Sequence, residues 1–297
     1  MTVQQAKSYG KSNLTLSPTP LLDTEVILQH ITGFDKTHLL LNRDTELSEE
    51  QEQFFINAIE KRKTGFPVAY ITGHKEFFDF DFYVTPDVLI PKPDTELLVE
   101  LALDALEDKF RANQNAIPTI CDMCSGSGCV GLSIAKKLQE AAHSFTLTCA
   151  DISEKALSVA QKNASRLCAS TDSMHFVQSN LFENIPHSFD LIATNPPYVP
   201  HEESIELLKD GRSEPLLALD GDVTETGEFS GTNDGLSLIR RLVPQCYEHL
   251  NRNGVLIMET GEYNTQETSE LFKSAGFRTV RIEYDLNEMM RDVIGIK

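Results

Sequence analysis

The tetrapeptide Asn195-Pro196-Pro197-Tyr198 is the stretch whose residue types and order point most directly to chemistry. The asparagine side-chain oxygen is a hydrogen-bond acceptor, and the Pro196 backbone carbonyl is a second one. Asn195 is pushed to an extended backbone because it precedes proline. Each proline fixes φ and removes a competing N–H donor. Two acceptors fixed in this way suit the two hydrogens of a planar amide or of an exocyclic amine. An amide nitrogen is a poor nucleophile because its lone pair is delocalised into the carbonyl. To react, it must be pinned with that lone pair facing the electrophile. Hydrogen bonds to both N–H groups strengthen as charge develops on nitrogen, and positioning does much of the rest. Tyr198 can pack its ring against the planar group. No separate general base is evident. The bland alternative is a double proline that only ends a strand, since Asn-Pro is a common turn opener.

A second candidate is Asp122-Met123-Cys124-Ser125-Gly126-Ser127-Gly128, with Cys124 to Gly128 expected to touch a cofactor. Glycines at the end of a strand let the backbone approach a ligand closely and adopt positive φ. Gly126-x-Gly128-x-x-Gly131 also satisfies the dinucleotide fingerprint, and Asp151 lies about where a ribose-binding acid belongs. On this motif alone a nicotinamide or flavin oxidoreductase competes, and a tight structural turn is the bland reading. Asp151 is expected to accept from both ribose hydroxyls, with a helix cap near Ser153 as the alternative or additional role. Asn180 is placed to touch an adenine edge, or is an ordinary turn residue.

The elements that must position these residues fall into two styles. Leu21, Leu22, Val26, Ile27 and Ile31 share a helical face after Thr19-Pro20, with Gly33 as the stop. Ser48 and Gln51 form a capping box that opens a helix over 49–63, with Phe54, Phe55, Ala58 and Ile59 as its buried stripe. Phe78, Phe80 and Phe82 alternate with Asp79 and Asp81, the signature of a strand in a linking hairpin. Pro91 and Pro93 punctuate, and Asp94 can cap a helix from Thr95 to about Phe110. Beyond Thr119, short apolar strands (120–123, 146–150, 175–177, 191–194 and 255–258) alternate with helices such as 154–167. That alternation implies a parallel sheet covered on both faces. Segments 279–283 and 292–296 read as closing antiparallel strands, and 222–231 as a mobile polar loop. The expected division is a helical domain over 1–75, a hairpin over 76–93 and an α/β domain over 94–297.

Composition narrows the function classes. Among 297 residues, 45 Asp and Glu outweigh 26 Lys and Arg, a balance of −19. Such a surface repels phosphate backbones, so direct nucleic-acid binding is not expected, and it steers basic protein partners; the bland reading is solubility alone. No apolar run approaches the ~20 residues of a membrane helix, and residues 1–11 lack a secretory layout. The cytoplasm is the expected compartment. Cys121, Cys124 and Cys129 invite a metal or redox reading, but no fourth ligand follows at zinc-like spacing. Free thiols in a reducing cell fit better, and no metal is expected.

Taken together, these segments resemble the HemK/PrmC family, the glutamine methyltransferases that modify peptide chain release factors. The match runs through Gly65-Phe66-Pro67-Val68-Ala69-Tyr70-Ile71-Thr72-Gly73, Glu76-Phe77 and Leu89-Ile90-Pro91-Lys92-Pro93-Asp94-Thr95-Glu96. It continues through the glycine loop, Asp151, Asn195 to Tyr198, Glu214-Pro215, Ala218-Leu219 and Asp234-Gly235-Leu236, covering the chain from about Leu21 to the end. The resemblance implies a small all-α substrate-recognition domain, a β-hairpin linker and a seven-stranded Rossmann-like methyltransferase domain. It further implies S-adenosylmethionine as cofactor, held by Cys124 to Gly128 and Asp151, with Leu181 flanking the adenine and Asn195 binding the substrate amide beside the donor. The implied acceptor is the glutamine of a release factor Gly-Gly-Gln loop, and a monomer is expected. Three departures stand out: Cys124 where the family usually has glycine, Lys92 where it usually has arginine, and a longer segment 222–231. The Asn-Pro-Pro-Tyr motif is shared with adenine-N6 methyltransferases, so methylation of nucleic acid is the first alternative. An oxidoreductase leaves 195–198 unexplained, and a non-catalytic binding module would waste the site.

Overall fold

The computed structural model describes residues 1–211 and 213–297, which divide into two units. One comprises Met1–His74 with Glu206–Ser213, the other Lys75–Ile205 with Glu214–Lys297.

The first unit is helical: α1 (Val3–Asn13), α2 (Pro20–Thr32), α3 (Lys36–Leu41), α4 (Glu49–Lys63) and α5 (Val68–Thr72). Gly33, at φ 69°, stops α2. Thr2 and Ser48 each close a capping box on a glutamine at the third helical position. The core holds Val3, Ile27, Leu28, Leu39, Phe55 and Ile59. Two features depart from the sequence reading. Helix α1 was not expected, because it is polar and carries Gly10; the reason for that glycine is that a Cβ would lie 2.3 Å from Thr24 Oγ1. Phe54 does not join the buried stripe of α4 but is 42% exposed.

In the second unit, β1 (His74–Phe77) and β2 (Phe80–Tyr83) form the hairpin. Phe78 and Asp79 both take positive φ, 52° and 63°, so they make a tight turn of the kind that matches strand twist, and Phe78 is not in a strand as its alternation suggested. A 3₁₀ turn over Pro93–Thr95 leads into α6 (Glu96–Ala112). Asp94 does not cap that helix; it pairs with Arg291 at 3.3 Å.

The sheet follows as β3 (Thr119–Met123), α7 (Cys129–Glu140), β4 (Thr146–Asp151), α8 (Glu154–Leu167), β5 (Met174–Gln178) and β6 (Phe189–Thr194). It is completed by α9 (His201–Leu208), α10 (Leu216–Leu219), α11 (Ser237–His249), β7 (Leu250–Glu259), α12 (Thr265–Ala275), β8 (Thr279–Tyr284) and β9 (Met290–Ile296). The seven strands run β5-β4-β3-β6-β7-β9-β8. Strands β3 to β7 are parallel neighbours, and β9 pairs antiparallel with both β7 and β8. Alternate strand residues feed two cores. Ile120, Leu191 and Ile257 pack with α6 and α7 on one face, while Cys121, Ile192 and Leu256 meet α11 and Phe272 of α12 on the other. Each such aliphatic side chain stabilises by roughly 1.5–3 kcal/mol through burial.

Segment 222–231 folds back on itself at one short bridge. Val223 bridges Phe229, and the buried Asp222 carboxylate accepts from Gly235 N–H at 2.6 Å and Ser237 Oγ at 3.0 Å. Asn163 of α8 is the polar clamp of this unit. It accepts from Tyr83 N–H at 2.8 Å and donates to the carbonyls of Tyr83 and Ser127, both at 2.9 Å. Its truncation strands these backbone groups in a dry interior, where each costs about 1–3 kcal/mol. Asn163→Ala is therefore expected to lower the unfolding free energy by about 2–4 kcal/mol in denaturant titration.

Candidate functional site

Strand order reverses between β3 and β6, and ligands of open α/β sheets bind beyond the carboxyl ends of strands at such a point. One cavity opens there, lined by the loops that follow β3, β4, β5 and β6.

The loop after β3 turns sharply because Cys124, Gly126 and Gly128 all have positive φ (60°, 52° and 77°). For Cys124 this backbone carries a steric cost that glycine would avoid. Gly126 N–H donates to Asp151 Oδ2 at 2.8 Å, and Ser153 N–H donates to Asp151 Oδ1 at 2.9 Å. Each carboxylate oxygen keeps lone-pair capacity towards the cavity. Gly128 begins α7 without a side-chain cap, and its Cβ would lie 2.9 Å from Leu132. Under the loop, Asp122 is 1% exposed and accepts from Gly131 N–H at 2.8 Å. Burial, with the Asp151 charge nearby, pushes its carboxyl up to about 7 despite the Gly131 hydrogen bond. Asp151 is also raised by burial, opposed by the N–H groups it accepts. Burial likewise drives the Cys124 thiol up, so it stays protonated and unreactive.

Beyond β6, Asn195 and Pro197 line the same cavity. Asn195 Nδ2 donates to Thr95 Oγ1 at 3.1 Å. Among the described residues neither Asn195 Oδ1 nor the Pro196 carbonyl accepts a hydrogen bond. Tyr198 turns inward: its hydroxyl donates to Glu259 Oε1 at 3.1 Å, and its carbonyl accepts from Asn264 Nδ2 at 3.0 Å. Gly235 packs here because a Cβ would lie 2.0 Å from the Tyr198 carbonyl oxygen.

Of the residues singled out from sequence, Cys124, Ser125, Gly126 and Ser127 line the cavity, as do Asp151, Asn180, Leu181 and Asn195. Pro197 joins them, whereas Gly128, Pro196 and Tyr198 do not reach its wall. Sequence reasoning quoted Asp122 and Thr95 within motifs without giving either a part in the site, and it missed Glu259. Two of them carried a readable signal, an acid inside or ending an apolar strand. All six cysteines are free. No helix among the described residues is long and apolar enough to cross a membrane.

S-Adenosylmethionine fits this donor set. The Ser125 hydroxyl is buried at the cavity wall without a partner among the described residues, as a site built for a polar ligand requires. Two carboxyls, Asp122 and Asp151, suit a ligand with cationic groups.

Comparison with known proteins agrees with this geometry. Residues 5–73 match the family model of the PrmC N-terminal domain, and residues 98–210 that of the methyltransferase small domain. A release factor glutamine methyltransferase of Clostridium acetobutylicum is 32% identical over 295 residues, covering 98% of this chain and 96% of that protein. One from Leptospira interrogans is 35% identical over 280 residues, covering 93% and 91%. The chain belongs to the release factor glutamine methyltransferase family. A similar fold is seen in a solved structure, the 16S rRNA N2 G1207 methyltransferase of T. thermophilus in complex with AdoMet and guanosine. It superposes with a TM-score of 0.51 at 15% identity, over 75% of this chain and 49% of that one. That likeness is one of fold.

Gly131 allows α7 to approach β3, since a Cβ there would lie 2.8 Å from Asp122 Cβ. Gly131→Ala is expected to destabilise by about 1–3 kcal/mol in thermal unfolding and to weaken cofactor binding in calorimetry.

Proposed function

We propose that this enzyme methylates the side-chain amide nitrogen, N(5), of the glutamine in a release factor Gly-Gly-Gln motif, with S-adenosylmethionine as donor. The observation that carries the reading is the Asn195 carboxamide in the wall of the cavity that also holds the glycine loop and the unpartnered Ser125 hydroxyl. The family supports it through relatives named as release factor glutamine methyltransferases.

When bound, S-adenosylmethionine supplies an electrophilic methyl group on a positively charged sulfur. The chain's own residues bind and orient. Asp151 receives the ribose hydroxyls, Asn180 and Leu181 face the adenine, and the loop from Cys124 to Gly128 takes the amino-acid end. Asn195 Oδ1 and the Pro196 carbonyl accept the two amide hydrogens and hold the glutamine nitrogen with its lone pair towards the donor. Both hydrogen bonds strengthen as that nitrogen gains positive charge. The prolines restrain the backbone that carries the Pro196 carbonyl, and Tyr198 anchors the far end of the motif through Glu259. The enzyme works in the cytoplasm as a monomer, and its net charge of −19 supports a protein rather than a nucleic-acid substrate.

Incubation with labelled S-adenosylmethionine and a release factor, followed by mass spectrometry, should place one methyl group on the Gly-Gly-Gln glutamine. Label found only in an added nucleic acid would overturn the reading. Asn195→Ala is expected to cut turnover by about 100- to 1,000-fold while cofactor affinity is kept. Unchanged turnover would remove Asn195 from its role.

A bound cation favours ionised carboxylates, so affinity for S-adenosylmethionine should be full above the Asp122 midpoint and fall as pH drops through about 7. Calorimetry across this range should show that fall, and Asp122→Asn should flatten much of it.

A further inference from the structure

A carboxamide has two ends of nearly equal size, so shape alone does not decide which end Asn195 turns towards the cavity. The neighbours behind it do. Asn195 Nδ2 is 3.1 Å from Thr95 Oγ1, and Thr95 is only 2% exposed, held where the 3₁₀ turn meets α6. Thr95 has one hydroxyl proton to give. Behind it lies Glu259, 1% exposed at the carboxyl end of β7, which accepts the Tyr198 hydroxyl at 3.1 Å. Burial raises the Glu259 pKa, while the nearby Thr95 and Tyr198 hydroxyls and the Arg291 charge pull it down. In the structure the Thr95 hydroxyl oxygen accepts from Asn195 Nδ2, with the Glu259 carboxylate near enough to attract the hydroxyl proton. The NH2 end is thereby drawn inward and the oxygen outward.

We propose that Thr95 is the positioning residue that fixes Asn195 with its oxygen towards the acceptor, and that it thereby sets the preference for an amide over a carboxylate. The inference rests on the amide-acceptor reading above and adds its source of specificity. With the oxygen outward, the site takes an N–H donor, and a glutamate side chain in the same place meets an acceptor with no proton to offer. With Asn195 turned over, the site presents N–H groups and takes a carboxylate instead. A site built to hydrogen-bond one polar group rejects the analogue that lacks it, because its own polar atom is left unpaired. Glu259 also accepts from the hydroxyl of Tyr198, the last residue of the tetrapeptide.

Wild type, Thr95→Ser and Thr95→Val are compared in full-length protein with a release factor substrate. Each is also titrated with S-adenosylmethionine and with a peptide in which glutamate replaces the acceptor glutamine. Thr95→Ser keeps the hydroxyl and should retain wild-type kcat. Thr95→Val keeps the shape and should lose about 10- to 100-fold in kcat with unchanged cofactor Kd. The glutamate peptide should also become a stronger inhibitor of the valine variant than of wild type. A valine variant with wild-type kcat and wild-type discrimination would overturn the inference alone, as would a serine variant as damaged as the valine one. A wild-type enzyme inert towards glutamine would instead bring down the functional reading on which it rests.

Discussion

Parallel register between two strands is the constraint on which this site depends. Met123 of β3 stands opposite Thr194 of β6, and the Thr194 hydroxyl donates to the Met123 carbonyl at 2.7 Å. The residues that follow are Cys124, which opens the glycine loop, and Asn195, which opens the acceptor motif. Neighbouring strands lie about 4.8 Å apart, so the two halves of the site leave the sheet one strand spacing from each other. A slip of register would part them. The apolar residues of β3 and β6 alternate between two buried cores, and a slip of one residue would also turn each of them to the wrong face.

What the register brings together, buried polar groups then orient. Asp151 is held by two backbone N–H groups, Asp122 by Gly131, and Asn195 by Thr95. Glycines appear where a side chain would break these contacts: at 131 against Asp122, and at 235 against the Tyr198 carbonyl. The cavity is thus negatively biased near the glycine loop and presents hydrogen-bond acceptors near the tetrapeptide. This asymmetry matches a cationic donor facing an N–H-bearing acceptor.

Much of the architecture was legible in the sequence because periodicity and caps are local. The five parallel strands, the two closing strands, the helix over 154–167 and the Ser48 capping box all follow from spacing within a dozen residues. The errors arise where a distant contact overrides a local pattern. Asp94 was read as a cap but pairs with Arg291, nearly two hundred positions away in the chain. The alternation of Phe78, Phe80 and Phe82 looked like one strand, yet two residues of it form the turn. The polarity of segment 222–231 does not reveal that Val223 bridges Phe229 and that Ser230 N–H donates to the Asp222 carbonyl. Of the site, the glycine loop, Asp151 and the tetrapeptide were readable as motifs. Thr95 was not, because it acquires its meaning only from Asn195, which folding brings to it.

The most direct measurement is a crystal structure of the enzyme with S-adenosylhomocysteine and a glutamine peptide bound. The account predicts the glutamine amide nitrogen within hydrogen-bond distance of both Asn195 Oδ1 and the Pro196 carbonyl, with the sulfur in line behind it. An amide bound elsewhere, or an Asn195 that turns its nitrogen to the substrate, would contradict it.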